Sequence, residues 1–168
     1  MPFQLITERL RITEFTSDDA LFIKKLVNSE GWLKYIGDRN VLDETGAIIY
    51  IEKLRKNYEE QGFGFWKVEL LENSSAIGMC GIIHRDGLEH ADIGFAMLPE
   101  FEGKGYARES SLAVKDYALN QLKMKELLAI TELNNNRSIN LLNRIGLIYD
   151  KNIMLNKEEL MLFKLNKE

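Results

Sequence analysis

The sequence predicts an α/β protein with a mixed, mostly antiparallel sheet of about six to seven strands, flanked by about four helices. Three short apolar runs at 65–71, 76–84 and 90–98 alternate with turn residues, which is typical of consecutive antiparallel strands. Apolar residues spaced four, three and four positions apart over 47–58 indicate an amphipathic helix. A strand, helix and strand over 90–131 require a parallel pair with a right-handed crossover. We therefore expect a single domain over residues 1–168.

The N-terminal part of the chain is predicted to contain one strand and two helices. Alternating apolar and polar residues at 10–16 favour a half-buried strand. Ser17 is a good N-cap for a helix that runs to about residue 28, and Asp43 caps a second helix that ends at glycines. Between these helices, residues 32–39 combine aromatic side chains with glycine and polar residues, so we expect a loop or a short helix there.

The C-terminal part continues the same alternation of elements. After the third central strand we expect a helix over 106–121 and a short apolar strand over 126–131. Asn135 can cap the next helix, which stops at Gly146. Two further strand-like runs, separated by residues 156–159, predict a final hairpin.

Composition and charge exclude several classes of protein. The net charge of −4 and the lack of a basic block argue against a nucleic-acid partner. Cys80 is the single cysteine, so no intramolecular disulfide can form, and we expect an inert core residue rather than a nucleophile. With His84 and His90 it gives no metal-ligand spacing, so no metal is expected. No apolar stretch could span a bilayer and the N-terminus lacks a signal sequence, which predicts a cytoplasmic protein without a membrane partner.

A glycine turn after the third central strand is the best candidate for an anion site. Gly103 and Gly105 allow close approach of the backbone, and the first N–H groups of the following helix can point at phosphate oxygens. The spacing does not fit a P-loop, and a dinucleotide fingerprint would need glycine in place of Arg108. An ordinary strand-to-helix turn is the other interpretation of these residues.

Four motifs follow one another in the chain, namely Asp92-Ile93-Gly94-Phe95, Gly103-Lys104-Gly105-Tyr106-Ala107, Asn135-Asn136-Arg137-Ser138 and Arg144-Ile145-Gly146-Leu147. In this order and spacing they resemble the GNAT superfamily of N-acetyltransferases, and in particular its branch of ribosomal-protein N-terminal acetyltransferases. The opening residues 7–12 are also similar to that branch. The resemblance implies a GNAT-like fold with a splayed central pair of strands. It also implies acetyl transfer from acetyl-CoA to a primary amine, either a small molecule or a peptide N-terminus, by direct transfer in a ternary complex. We expect a monomer or homodimer.

The resemblance also indicates which residues bind acetyl-CoA as cosubstrate. The main chain of Met97 and Leu98 would pair with the pantetheine arm, and the turn would hold the diphosphate with help from nearby positive charge. The implied set is Met97, Leu98, Gly103, Lys104, Gly105, Tyr106, Ala107, Arg108, Asn135 and Ser138. For Asn135 and Ser138, helix capping is the alternative role. Glu102 departs from the superfamily pattern and would weaken diphosphate binding unless its side chain turns outward.

Asp92 is the candidate catalytic base, because some histone acetyltransferases of the superfamily carry a glutamate at the matching position. With an ordinary pKa near ~3.9 it would need an apolar pocket or a water relay, and a structural carboxylate is the alternative. The oxyanion donor would be a main-chain N–H near Met97 or Leu98. Many relatives protonate the leaving thiolate with a tyrosine where this chain has Leu142.

The acceptor pocket is predicted less directly. Trp32, Tyr35, Arg39 and Trp66 suggest aromatic walls for it, although such residues could equally cover the core. Because Glu102 and Leu142 depart from the pattern, a non-catalytic module that binds and senses acyl-CoA is the alternative function. A phosphate-binding domain for another ligand is disfavoured by the glycine spacing.

Overall fold

The computed structural model describes residues 2–167, which form one eight-stranded sheet and five α-helices. The strands are β1 (Gln4–Ile6), β2 (Leu10–Thr13), β3 (Phe65–Leu70), β4 (Ala76–Ile83), β5 (Asp92–Met97), β6 (Leu128–Thr131), β7 (Leu147–Leu155) and β8 (Glu158–Leu165). The helices are α1 (Ala20–Val27), α2 (Glu30–Tyr35), α3 (Glu44–Gln61), α4 (Tyr106–Asn120) and α5 (Asn136–Arg144). The predicted α/β class is confirmed. The strand β1 and the short helix α2 bring the totals above the predicted six to seven strands and about four helices.

The sheet has the order β1-β2-β3-β4-β5-β6-β8-β7. All neighbouring strands are antiparallel except β5 and β6, which are parallel. The predicted three-stranded meander corresponds to β3, β4 and β5. Helix α4 makes the predicted crossover between the parallel pair.

The parallel pair separates almost immediately after it forms. Asp92 of β5 is in register with Leu128 of β6, and Leu128 N donates to Ala91 O at 2.9 Å. Beyond this rung, β5 continues to Met97 and β6 to Thr131 without further register between them. The central pair is therefore splayed, as the resemblance implied, and the β5 edge facing the gap offers main-chain groups to a ligand.

Two apolar layers cover the sheet. One layer packs against α4 and α5 and includes Val114 and Leu142. The other packs against α1, α2 and α3 and includes Ile23, Trp32 and Ile51. The gap beside β5 therefore has a helical layer on each side.

The beginning of α1 differs from its prediction. Thr16, rather than Ser17, caps a short 3-10 turn at Ser17–Asp19, and α1 begins at Ala20. The Thr16 hydroxyl accepts from Asp18 N at 3.3 Å, and Asp19 Oδ2 accepts from Thr16 N at 2.9 Å. This reciprocal pair satisfies two backbone donors, which a cap at Ser17 would not achieve.

The final hairpin is tighter than predicted. Asn156 and Lys157 have φ of 51° and 67°, and β8 resumes at Glu158. Positive φ at both central positions matches the twist of a two-residue hairpin turn, so the polar residues that follow belong to the strand.

Candidate active site

The glycine turn links the free edge of β5 to α4. Leu98 N donates to Ile77 O at 2.8 Å, after which a 3-10 turn at Pro99–Phe101 carries the chain away from the sheet. Gly103 and Gly105 have φ of 74° and 86°, a conformation that strongly favours glycine. Gly105 is the N-cap of α4, and the predicted arrangement of strand, turn and helix is confirmed.

The amides of this turn are suited to an anion. The bond from Glu109 N to Gly105 O, at 3.0 Å, closes the first turn of α4, so the preceding N–H groups have no intrahelical acceptor. These groups belong to the predicted diphosphate-binding residues between Gly105 and Arg108. The Lys104 ammonium lies 5.6 Å from the ring of Phe101, next to the turn. The helix dipole and this charge both favour an anion here.

Glu102 has a partner that the sequence did not reveal. Its carboxylate forms an ion pair with Arg137 in the first turn of α5. This contact brings the second predicted cofactor motif next to the glycine turn. The pairing offsets the negative charge that we expected to disfavour a diphosphate.

Asn135 caps α5, which is the role that we gave as the alternative to cofactor contact. Its Oδ1 accepts from Ser138 N at 3.2 Å at the start of α5. Both residues therefore lie at a helix N-terminus near the turn, and their contact with a cofactor stays a prediction.

Asp92 lies at the closed end of the splay. Its side chain is only 1% exposed, and Arg85 holds both carboxylate oxygens, with Nε to Oδ2 at 2.8 Å and Nη2 to Oδ1 at 2.9 Å. Burial raises the pKa of Asp92, while the hydrogen bonds and charge of Arg85 and the charge of His84 oppose the increase. A raised pKa is one of the conditions that we set for a base at this position, but Arg85 already contacts both carboxylate oxygens.

The position of Asp92 also limits how it could act. Asp92 and Met97 are five residues apart in an uninterrupted ladder with β4, and at ~3.3 Å per residue their Cα atoms are separated by about 16 Å. A base must lie about 3 Å from the amine, which in turn attacks a carbonyl held by the oxyanion donor. Direct contact by Asp92 is therefore incompatible with an oxyanion donor at Met97 or Leu98. A base that acts through water is the form of the prediction that is left, and it stays a prediction.

Three of the four predicted acceptor residues lie together beside α2. The Arg39 guanidinium is 5.9 Å from the ring of Trp32, and the Lys34 ammonium is 5.0 Å from the ring of Tyr35. Trp32 is buried in the α1–α3 layer, and its Nε1 is the one buried side-chain donor without a partner within residues 2–167. These residues remain candidates for the acceptor side.

The prediction for Trp66 is not supported. Its side chain is 1% exposed and stacks on Phe3, with ring centroids 4.1 Å apart, while Tyr117 of α4 packs edge-on at 5.7 Å. Trp66 therefore belongs to the core on the α4 face, away from α2. The single sequence could not indicate which face of the sheet this residue occupies.

Cys80 is confirmed as an inert core residue. It is fully buried in β4, its Sγ lies 3.7 Å from Ser111 Oγ, and burial raises its thiol pKa to about 12. Across residues 2–167, no three His, Cys, Asp or Glu side chains are grouped to hold a metal ion. Each helix within the same residues is too short or too polar to be a membrane span.

The splayed parallel pair and the glycine turn that follows β5 are the features that the resemblance to coenzyme-A-dependent N-acetyltransferases implied. Residues 9–148 match the family described as "Acetyltransferase (GNAT) domain", so this chain belongs to the GNAT acetyltransferase family and is an acyltransferase. The predicted family is confirmed.

Named relatives agree with this assignment. The chain is 28% identical over 144 residues to the uncharacterized N-acetyltransferase YoaA of Bacillus subtilis, covering 84% of this chain and 81% of the relative. An acetyltransferase from Agrobacterium tumefaciens has the same fold, with a TM-score of 0.86, 23% identity and coverage of 99% and 96%. RimL, a ribosomal L7/L12 alpha-N-protein acetyltransferase in complex with coenzyme A, also shares the fold, with a TM-score of 0.81, 12% identity and 95% coverage of both chains.

Proposed function

We propose that the protein is an acetyl-CoA-dependent N-acetyltransferase. It moves an acetyl group to a primary amine, on a small molecule or a protein N-terminus, by direct transfer in a ternary complex. The observation that supports this most strongly is the free edge of β5 that leads directly into the glycine turn. This arrangement offers strand-like pairing to a pantetheine arm and helix N-terminal amides to a diphosphate within one continuous segment.

Acetyl-CoA would be bound along this segment. The main chain of Met97 and Leu98 pairs with the pantetheine amides, and the amides of residues 103–108 hold the diphosphate. Lys104 and Arg108 add positive charge at the turn. Asn135 and Ser138 form the facing wall, because α5 lies beside the turn, where Arg137 contacts Glu102. Acetyl-CoA supplies the activated acetyl group as a thioester.

The acceptor would enter from the opposite face of the splay, next to α2. Trp32, Tyr35 and Arg39 lie on or just after this helix. On the β6 side, burial and contact with Glu158 raise the pKa of Glu132, and the charge of Lys34 opposes the rise. Acidic groups at this end of β6 favour a cationic acceptor such as an ammonium.

The chemistry requires a neutral amine, an oxyanion donor and a route for each proton that the nitrogen loses. An acceptor that arrives as an ammonium first loses one proton, which Asp92 receives through water. The neutral nitrogen then attacks the thioester carbonyl, a C–N bond forms, and the oxyanion accepts from a main-chain N–H near Met97, since Leu98 N already donates to Ile77 O. The C–S bond then breaks, the coenzyme leaves as a thiolate, and the nitrogen loses its second proton to water. Leu142 is buried and apolar, so it cannot protonate the thiolate. A thiol pKa of about 8.5, by analogy with cysteine, makes prompt protonation of the leaving thiolate unnecessary.

Thiol release in the presence of acetyl-CoA and a panel of amines, polyamines, antibiotics and N-terminal peptides tests this proposal. We expect release with at least one amine. Binding is measured separately, since ligand at about a hundred times its Kd adds about 2.7 kcal/mol to the free energy of unfolding. Stabilisation by acetyl-CoA without turnover on any amine would favour the acyl-CoA sensor instead. No stabilisation by acetyl-CoA or CoA would remove both functions.

We further propose that residues 1–168 act as a single domain, as a monomer or homodimer, with neither nucleic acid nor membrane as partner. A cytoplasmic site of action is consistent with the unpaired thiol of Cys80.

A further inference from the structure

A polar network joins the β1–β2 turn to the first turn of α4. Glu109 of α4 accepts from the Thr7 hydroxyl at 2.7 Å and from Arg9 N at 2.8 Å, both through Oε1. Its other oxygen, Oε2, accepts from Arg9 Nε at 2.7 Å. Burial raises the pKa of Glu109, but the hydrogen bonds from Thr7 and Arg9 outweigh it and leave the pKa lowered. Glu109 therefore fixes both the backbone and the side chain of Arg9, although the two residues are 100 positions apart in the sequence.

The remaining part of the Arg9 guanidinium lies on the glycine turn. Its Nη1 donates to Lys104 O at 3.0 Å, and its Cζ is 4.4 Å from the centroid of the Tyr106 ring. Its Nη2 is 3.2 Å from the place that a Cβ on Gly105 would occupy. One side chain thus contacts Lys104 and Tyr106 of the predicted diphosphate site and lies beside Gly105 between them.

The contact with Lys104 O determines where the next amide points. In a planar trans peptide, the C=O and the following N–H point in opposite directions. Because the Lys104 carbonyl points toward Arg9, the Gly105 N–H points away from it, to the other side of the turn. This peptide could otherwise rotate at low cost, since its rotation changes ψ of Lys104 and φ of Gly105, and glycine tolerates many values of φ.

We propose that Arg9 is a positioning residue for the diphosphate of acetyl-CoA. It holds the Lys104–Gly105 peptide in the orientation that presents the Gly105 N–H to phosphate, and it adds a fixed positive charge beside the turn. This inference rests on the proposed function. It also gives a role to residues 7–12, a motif that carried the family resemblance but had no assigned part in the site.

The test compares a ligand that contains the diphosphate with one that lacks it. CoA and pantetheine are titrated by NMR, which measures Kd into the millimolar range, on wild type, Arg9→Met, Arg9→Lys and Arg11→Met. Arg11 is the matched control, because it lies two residues further along the chain, on β2, and pairs with Glu69 at 2.7 Å, away from the glycine turn. We expect Arg9→Met to weaken CoA at least tenfold and pantetheine less than twofold, while Arg11→Met changes neither. The CoA affinity of Arg9→Lys should lie between those of wild type and Arg9→Met. An ammonium keeps the charge but cannot contact Glu109, Lys104 O and the Tyr106 ring together, as the planar guanidinium does.

Several outcomes would overturn the inference. The first is an Arg9→Met variant that binds CoA within twofold of wild type. The second is an Arg9→Met variant whose affinity for pantetheine falls as much as its affinity for CoA. The third is an Arg9→Lys variant that binds CoA as tightly as wild type. If Arg9→Met does not fold, Glu109→Gln provides the test, because it loosens Arg9 without touching the turn. It should weaken CoA about threefold and leave pantetheine unchanged, and equal effects on both ligands would again overturn the inference. Wild type that fails to bind CoA would instead refute the proposed function.

Discussion

Replacing Arg85 by methionine should strongly destabilise the protein at neutral pH. The substitution leaves the Asp92 carboxylate, which is 1% exposed, without its bidentate partner. Breaking a buried ion pair by removing one partner costs about 3–5 kcal/mol. For a chain of this length, at about 2–4 °C per kcal/mol, Tm should fall by about 6–20 °C. Asp92→Asn should cost less, because the Arg85 side chain is 31% exposed and can turn to water. The double variant Arg85→Met/Asp92→Asn should be more stable than Arg85→Met alone.

The cost of Arg85→Met should also depend on pH. Burial raises the pKa of Asp92, so the folded state holds this proton more tightly than the unfolded state. The stability contributed by such a group falls as pH rises from the unfolded pKa through the folded one. Removing Arg85 removes the main opposing effect and extends this fall to higher pH. The variant should therefore lose more stability relative to wild type at pH 7 than at pH 5.

Urea unfolding of the four proteins at both pH values, followed by tryptophan fluorescence, measures these differences. A cost that does not change with pH, or Asp92→Asn being the more destabilising variant, would refute the reasoning. The same set tests the proton relay once an acceptor is known. If Asp92 takes the proton, Asp92→Asn and the double variant should both lose kcat far more than acetyl-CoA affinity. Recovery of kcat in the double variant would assign the carboxylate a structural role.

Three further predictions concern the turn and the core. Gly105→Val should abolish CoA binding. The control is Gly62→Val, which has a similar φ of 81° and nothing within 4 Å of the added Cβ, so it should lose comparable stability and still bind CoA. Equal CoA affinities of the two variants, measured by calorimetry, would contradict this prediction. Glu102→Gln should tighten CoA binding about two- to fivefold in low-salt buffer, because it removes a negative charge and frees Arg137, and an unchanged Kd would count against this. Cys80, with a pKa raised to about 12, should react with a thiol reagent at pH 8 only after unfolding, so rapid labelling of the native protein would contradict its burial.

Sequence patterns predicted those parts of the fold that depend on local periodicity. The buried positions of α3, which are Ala47, Ile51, Leu54 and Tyr58, follow directly from helical spacing. The strands β3 to β5 and the glycine turn are also marked by nearby residues. By contrast, β1 has only three residues and lies at the edge of the sheet beside β2, so no local pattern identifies it. Thr16 and Ser17 are both good caps, and only the reciprocal bond of Asp19 decides between them.

The parts of the site that were missed depend on contacts between distant segments. The Arg85 side chain reaches Asp92 because the β4–β5 register brings both to the same end of the ladder, and that register was not known from sequence. Arg9 and Lys104 are 95 residues apart, so their contact has no local signal. The unexplained motif at residues 7–12 was the one available indication of Arg9. Trp66 was misplaced because an aromatic residue in a strand can face either layer.

The single rung between β5 and β6 is, within residues 2–167, the one strand pairing between the two halves of the sheet, β1 to β5 and β6 to β8. A pantetheine chain that pairs with the open edge of β5 would occupy the gap like an additional strand and link the two halves. Loading of the thioester donor would then stiffen the scaffold on which the acceptor must dock. This predicts an ordered kinetic scheme in which the donor binds first and the free coenzyme leaves last.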